Sequence, residues 1–191
     1  MDKVSQLLAG AFELFYRESV HGVGINQILA EAGIAKKTLY HHFEGKEALV
    51  LAVVRYRDQL FFDWLNQRLE VAQTPTELVH ELFNALDDWF NSRVESLSQF
   101  RGCFFINTAA EYPSPEHPVN RLCREHKARV QNEFEQKLSP WLGSERAREL
   151  AGQLCLIKEG AIVSAQLVSR QYAAERGRKL ALGLLDLSLD D

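Results

Sequence analysis

Residues 25–49, INQILAEAGIAKKTLYHHFEGKEAL, carry the clearest structural pattern in the chain. Its first part spaces apolar residues by three, four and seven positions, which places them on one face of a short helix. Gly33 follows, where a glycine can take the left-handed conformation that ends a helix, and a second apolar series then begins. The two series are Ile25, Ile28, Leu29 and Ala32, then Ala35, Leu39 and Phe43. The pattern predicts two short helices joined by a glycine turn.

The outer face of the second short helix is polar. With the second apolar series facing inward, the residues left at the surface are Lys36, Lys37, Thr38, His41 and His42. A helix this short is not stable alone, so neighbouring helices must hold it from behind. Cations, a hydroxyl and imidazoles on such a helix are typical of a helix-turn-helix recognition helix, which lies in the major groove of DNA. Periodicity alone leaves a second interpretation open, a polar face that only contacts solvent.

The same stretch resembles the signature of the TetR family of transcriptional regulators. The resemblance lies in residues 32–43, AGIAKKTLYHHF, and in residues 46–49, KEAL. The family's first helix packs behind these two, and similar apolar positions here are Leu7, Ala11, Phe12, Leu14 and Phe15. Residues 102–119 are similar to a ligand-domain segment of one subgroup. The resemblance implies a homodimeric regulator, most often a repressor, that a small organic ligand releases from an inverted-repeat operator in double-stranded DNA.

The resemblance also assigns DNA contacts. The residues expected near phosphates are Lys36, Thr38, Tyr40 and Lys46, and those expected at base edges are Lys37 and His41. Lys46 begins a helix whose free amide groups already favour an anion. Two departures from the family pattern, Val23-Gly24 in place of a hydroxyl residue and Gly45 before the lysine, concern individual phosphate contacts and not the fold.

The charge of the chain is distributed unevenly. The net charge is −4, from 22 Lys and Arg against 26 Asp and Glu. Residues 1–57 hold seven basic and six acidic residues, so the negative excess lies in residues 58–191. Attraction to phosphate depends on the charge near the duplex. Because the local positive charge is small, DNA affinity is expected to require two paired modules.

Periodicity predicts an all-α protein throughout, with no strand. We expect residues 1–50 to form a three-helix helix-turn-helix DNA-binding domain and residues 51–191 a helical ligand-binding and dimerisation domain. The two C-terminal helices carry more than one apolar face, which predicts a homodimer formed through them. No apolar run approaches the roughly 20 residues needed to cross a bilayer, and no secretory signal is apparent. We therefore expect a cytoplasmic protein with no membrane partner.

A ligand site is expected in the C-terminal half. The candidate residues are Trp64, Trp89, Phe104, Asn107 and Glu111. They would line a cavity between the connecting helix that begins at Lys46, the helix from Glu77 and a short helix that begins near Gly102. The aromatic residues have an alternative interpretation as ordinary core, whereas buried polar groups in the short helix need partners that a ligand could supply.

The sequence predicts neither an enzyme nor a metal or cofactor. It has no phosphate-binding glycine loop and no nucleophile–base arrangement, and its histidines and three cysteines lack ligand spacing. Two alternatives stay open. The first is an all-helical ligand-binding or scaffold protein without sequence-specific DNA binding. The second is an electrophile sensor based on Cys103, whose expected place at a helix start beside Arg101 would favour the thiolate.

Overall fold

The computed structural model describes residues 2–189, and the side chains of residues 2–185. Within this range the chain is helical, with no strand, as the periodicity predicts. In chain order the helices are α1 (Lys3–Arg17), α2 (Ile25–Ala32), α3 (Lys36–His42), α4 (Lys46–Leu69), α5 (Pro75–Phe90), α6 (Phe104–Glu111), α7 (Pro118–Leu142), α8 (Ser144–Leu167) and α9 (Arg170–Leu189). A short 3-10 turn, Glu95–Leu97, lies between α5 and α6. No helix in the described range is long and apolar enough to span a membrane.

Local side-chain chemistry sets several helix ends. The Asp2 carboxylate accepts hydrogen bonds from the amides of Val4 and Ser5 at 2.8 and 2.9 Å, which caps α1. The Thr74 hydroxyl accepts from the Glu77 amide at 3.1 Å, and a proline follows at the first position of α5. Both are the short polar residues that compensate free amides at a helix start.

The chain divides into two compact units. The first consists of residues up to Leu60 together with Cys103–His126, and the second of Phe61–Gly102 together with residues from Lys127 onward. Helices α4 and α7 therefore each contribute to both units. The functional division expected after residue 50 stays a prediction.

The first unit has a core formed by α1, α2 and α3. Leu7, Phe12, Ile28 and Leu39 are almost fully buried in it. Helices α1 and α2 pack closely, since a Cβ atom placed on Gly10 would lie 3.0 Å from Ala32. The three helices therefore support one another, which a seven-residue α3 requires.

The second unit packs α9 against α5 and α8. Gly177 of α9 is buried, and a Cβ atom there would lie 2.4 Å from the Phe83 ring of α5. Glycine at this point lets the two helix backbones approach each other around a large aromatic side chain. A larger residue would push the helices apart, because packed interiors have little room to adjust.

Candidate nucleic-acid interface

The turn between α2 and α3 has the predicted form. Gly33 has φ 62° and ψ 32°, which is the left-handed conformation, and ends α2. The Ile34 amide donates to the Leu29 carbonyl at 3.0 Å, and the Ile34 side chain is buried. This hydrogen bond and contact fix the direction in which the chain leaves α2.

One predicted core position is wrong. Ala35 was expected to face inward with Leu39 and Phe43, but it is exposed. It precedes the first turn of α3 and has extended backbone angles, φ −69° and ψ 144°, so it lies outside the helical repeat. Leu39 is fully buried and Phe43 is half-buried. The support of α3 therefore depends on Leu39 more than on a series of three residues.

The candidate DNA-contacting side chains of α3 are mostly at the surface. Lys36, Lys37, Tyr40 and His41 are exposed, whereas Thr38 is half-buried. The Lys36 ammonium lies 5.9 Å from the centre of the Tyr40 ring, within the range of a cation–π contact. Two ammonium groups, a phenol and an imidazole thus share a face that the rest of the first unit leaves open.

Lys46 differs from the other candidates because it is half-buried. Its ammonium donates to the His21 carbonyl at 3.4 Å. Partial burial lowers the pKa of Lys46, and the Glu111 carboxylate acts in the opposite direction. Lys46 is thus attracted to groups of its own unit, as well as being a candidate phosphate contact.

The candidate effector residues divide between the two units. In the second unit, Trp64 and Trp89 belong to an aromatic cluster with Phe61, Phe90 and Phe100. The Trp89 ring centre lies 5.0 Å from that of Phe100 and 5.1 Å from that of Phe61. Trp89 is 1% exposed, and no side chain or backbone group in the described part of the chain accepts a hydrogen bond from its indole nitrogen.

The other three candidates lie on α6, in the first unit. Phe104 packs against Phe12 at 5.3 Å between ring centres, edge to face, and is buried core. Asn107 is half-buried. The Glu111 carboxylate accepts from the amides of Val20 and His21, at 2.8 and 2.6 Å. Sequence periodicity gave no signal for this contact, because it joins residues about 90 positions apart.

Buried polar contacts outside the candidate set also occur in the first unit. The His126 ring is buried, and its Nδ1 atom lies 2.7 Å from an Asp58 carboxylate oxygen. Its ring stacks on Phe105 at 3.5 Å between centres. The Arg57 guanidinium lies 4.8 Å from the centre of the Phe12 ring, and burial lowers its pKa. An Asp–His pair this far apart in sequence cannot be recognised from spacing.

None of the three cysteines is fully exposed. Cys103 lies immediately before α6, as the sequence predicts, but is 4% exposed. Cys123 is also buried. Cys155 is partly buried, and burial raises the pKa of its thiol. No cluster of three or more His, Cys, Asp or Glu side chains suited to a metal ion occurs in the described residues.

Comparison with known proteins places these helices in a family. Residues 7–53 match the family model described as bacterial regulatory proteins, tetR family. The chain is 27% identical over 164 residues to the HTH-type transcriptional regulator LmrA of Bacillus subtilis, covering 85% of each chain. It is 31% identical over 112 residues to the HTH-type transcriptional activator FasR of Mycolicibacterium smegmatis, covering 59% of this chain and 49% of that one.

The fold is similar to that of solved regulators. The crystal structure of SCO4454, a TetR-family transcriptional regulator from Streptomyces coelicolor, matches with a TM-score of 0.84 and 29% identity, covering 96% of this chain and 94% of that one. Regulators of this family bind operator DNA and dimerise, and release by a ligand is typical of them. The relatives are named as regulators of transcription and not as enzymes. The chain belongs to the TetR family of helix-turn-helix transcriptional regulators.

Proposed function

We propose that the protein is a homodimeric repressor that binds an inverted repeat through α3 and is released by a small organic ligand. The main support is the exposed polar face of α3. Leu39 and the Gly33 turn fix the position of this helix. It lies inside the segment that matches the family. Lys37 and His41 are assigned to base edges. Lys36, Thr38, Tyr40 and Lys46 are assigned to phosphates, where they fix the register without selecting sequence.

The dimer is assigned to the outer surface of α8 and α9. Large apolar side chains stand exposed along it: Leu156, Val163, Leu167, Val168, Tyr172 and Leu180. A groove of about 460 Å³ lies between the two helices, and Gly160 on its wall has no other atom near the position of a Cβ. An apolar surface of this extent is costly in water, and a second copy of the same surface can cover it.

Two copies in a symmetric dimer would present two α3 helices. Recognition helices related in this way bind half-sites that are about one helical turn, roughly 34 Å, or a small extension of it apart. The preferred DNA should then be an inverted repeat. In vitro selection from a pool of random duplexes with the purified protein tests this. Recovery of sequences without an inverted repeat would contradict the proposal.

The effector is assigned to the aromatic cluster around Trp89 in the second unit. A buried indole N–H without an acceptor costs free energy that a ligand could recover by accepting the hydrogen bond. The ligand class that fits is an apolar or aromatic molecule with one acceptor oxygen or nitrogen. Glu111 is no longer favoured as a ligand contact, because both of its oxygens already accept backbone hydrogen bonds.

A screen for operator release, using aromatic and apolar carbonyl compounds, would identify ligands for this test. Trp89→Phe keeps most of the ring volume and removes the N–H donor, so we expect affinity for a screened ligand to fall about tenfold, the value of one hydrogen bond. Trp141→Phe is the matched control, since Trp141 is 38% exposed on α7. Equal ligand affinity in wild type and Trp89→Phe would remove Trp89 from the site.

Activation of transcription is the second candidate, because FasR is named an activator. An activator and a repressor would both bind DNA through the same α3 contacts. The position of the selected site relative to the promoter separates the two: overlap with the promoter favours repression, and a site upstream of it favours activation.

A further inference from the structure

The end of α6 contacts two segments next to the DNA-binding helices, all within the first unit. We call Glu111, Tyr112 and His117 the α6–α7 corner. The Glu111 carboxylate accepts from the amides of Val20 and His21, which form the turn between α1 and α2, at 2.8 and 2.6 Å. Its oxygen also lies 3.3 Å from the His21 imidazole nitrogen. Short hydrogen bonds to a carboxylate are among the stronger polar contacts in proteins.

Contacts between tilted aromatic rings extend this contact along the corner. The Tyr112 ring lies between two imidazoles, 4.7 Å from His21 and 4.6 Å from His117, measured between ring centres. The His117 Nε2 atom lies 3.3 Å from a carboxylate oxygen of Glu47, the second residue of α4. The corner thus contacts both the turn before α2 and the start of α4, on either side of α3 in sequence.

The same contacts reach a candidate phosphate contact. The Lys46 ammonium donates to the backbone carbonyl of His21. The backbone amide of His21 in turn donates to the Glu111 carboxylate. The negative charge of Glu111 also attracts the Lys46 ammonium. A DNA phosphate near the start of α4 would therefore compete with groups that Glu111 holds in place. The Glu111 carboxylate therefore contacts the turn before α2 and also attracts the ammonium group that would bind the phosphate.

We propose that Glu111 is a positioning residue that couples α6 to operator binding, by holding the turn at Val20 and His21 and, through it, α2 and α3. This inference rests on the proposed function, because it concerns how α3 meets its site. Displacement of α6 by about 1 Å would break both amide contacts, since hydrogen bonds weaken steeply beyond their normal distances. The DNA-binding helices would then lose the orientation that a spaced pair of half-sites requires.

Glu111→Gln tests the coupling with little change in shape. The amide keeps one acceptor oxygen but places an NH2 group against the second backbone amide, and it removes the charge that attracts Lys46. Affinity for the inverted repeat recovered by in vitro selection should fall at least about tenfold, because only a fraction of molecules would keep the competent orientation. Affinity for a random duplex of the same length should stay the same or increase, since Lys46 becomes freer to meet phosphate.

The matched control is Glu116→Gln, which removes an exposed carboxylate from the loop that follows the same helix. It should bind both duplexes as the wild type does. A general loss of structure would lower the affinity for both duplexes. An equal fall in both affinities in Glu111→Gln would therefore overturn the proposal. Unchanged operator affinity in Glu111→Gln, or an equal loss of operator affinity in Glu116→Gln, would also overturn it.

Hydrogen exchange gives a second measurement that does not depend on the operator. Amides in residues 18–24 should exchange faster in Glu111→Gln than in wild type, while residues 36–42 of α3 should keep helical protection. Unchanged exchange at Val20 and His21 would refute the coupling even if no operator were found. Failure of the wild type to select any sequence would refute the proposed function and would leave this exchange result to decide the role of Glu111.

Discussion

Leu156→Ala should separate the dimer without disturbing the protomer. Leu156 lies on α8 and is 76% exposed in the single chain, so its side chain contributes little to the core. Burying one methyl or methylene group stabilises by about 0.8 kcal/mol. The substitution removes three such carbon atoms, so it would cost about 2.4 kcal/mol for a fully buried side chain. Scaling by the exposed fraction leaves about 1.8 kcal/mol per copy and about 3.6 kcal/mol per symmetric dimer. The dimer dissociation constant should increase several hundredfold, at about 1.4 kcal/mol per factor of ten.

Sedimentation velocity over a range of protein concentrations measures this constant directly. Val71→Ala is the control, because Val71 is 63% exposed but lies in the segment between α4 and α5, outside α8 and α9. Its dimer should be as stable as that of the wild type, and both variants should keep the helical content of the wild type, measured by circular dichroism. A Leu156→Ala protein that dimerises like wild type would show that the interface lies on a different surface.

Three further predictions concern DNA binding and the thiols. Lys37→Ala or His41→Ala should reduce the difference in affinity between the selected site and its single-base variants by about 1–3 kcal/mol at one position, measured by competition binding. Lys46→Ala should weaken selected and random DNA alike and reduce the slope of log affinity against log salt by about one unit per protomer, measured by anisotropy from low to moderate salt. Unchanged base discrimination in Lys37→Ala and His41→Ala would contradict the assignment of these residues to base edges. An unchanged salt slope in Lys46→Ala would contradict its assignment to a phosphate. Cys103 should react with a mild alkylating agent only when the protein unfolds, because it is buried, and rapid alkylation of the native protein would instead support an electrophile sensor.

The DNA-binding helices were largely predictable because their determinants are local. The spacing of Ile28, Ala32 and Leu39 reports which helix faces are buried, and Gly33 supplies the conformation that only glycine adopts readily. The error at Ala35 has a simple cause. Periodicity extends a helical repeat past its true start, and helix ends are the least certain part of any such pattern.

The role of Glu111 was not predictable in the same way. The sequence predicted only that Glu111, like Asn107, is a polar group of a short helix that a ligand could contact. Its actual partners, Val20 and His21, are backbone amides about 90 residues away. Such contacts depend on how helices pack and leave no trace in local spacing.

The apolar surface of α8 shows an intermediate case. The sequence indicated that the two C-terminal helices carry more than one apolar face, but it could not say which apolar residues remain exposed. Ala161 and Ala165 are buried inside the protomer, whereas Leu156 and Gly160 face outward. The apolar faces of a helix show how much apolar surface must be covered. Only the packing of the helices decides which part is covered by the core and which part is left for a partner.

Selection of a DNA sequence by α3 can be measured as a ratio of two affinities at fixed salt. The dissociation constant of the wild-type dimer should be compared between the selected inverted repeat and a scrambled duplex of the same length and composition. A specific regulator is expected to bind the repeat at least about 10³-fold more tightly at physiological salt. Equal affinity for the two duplexes would show that binding depends on phosphate charge alone and that α3 carries no sequence specificity.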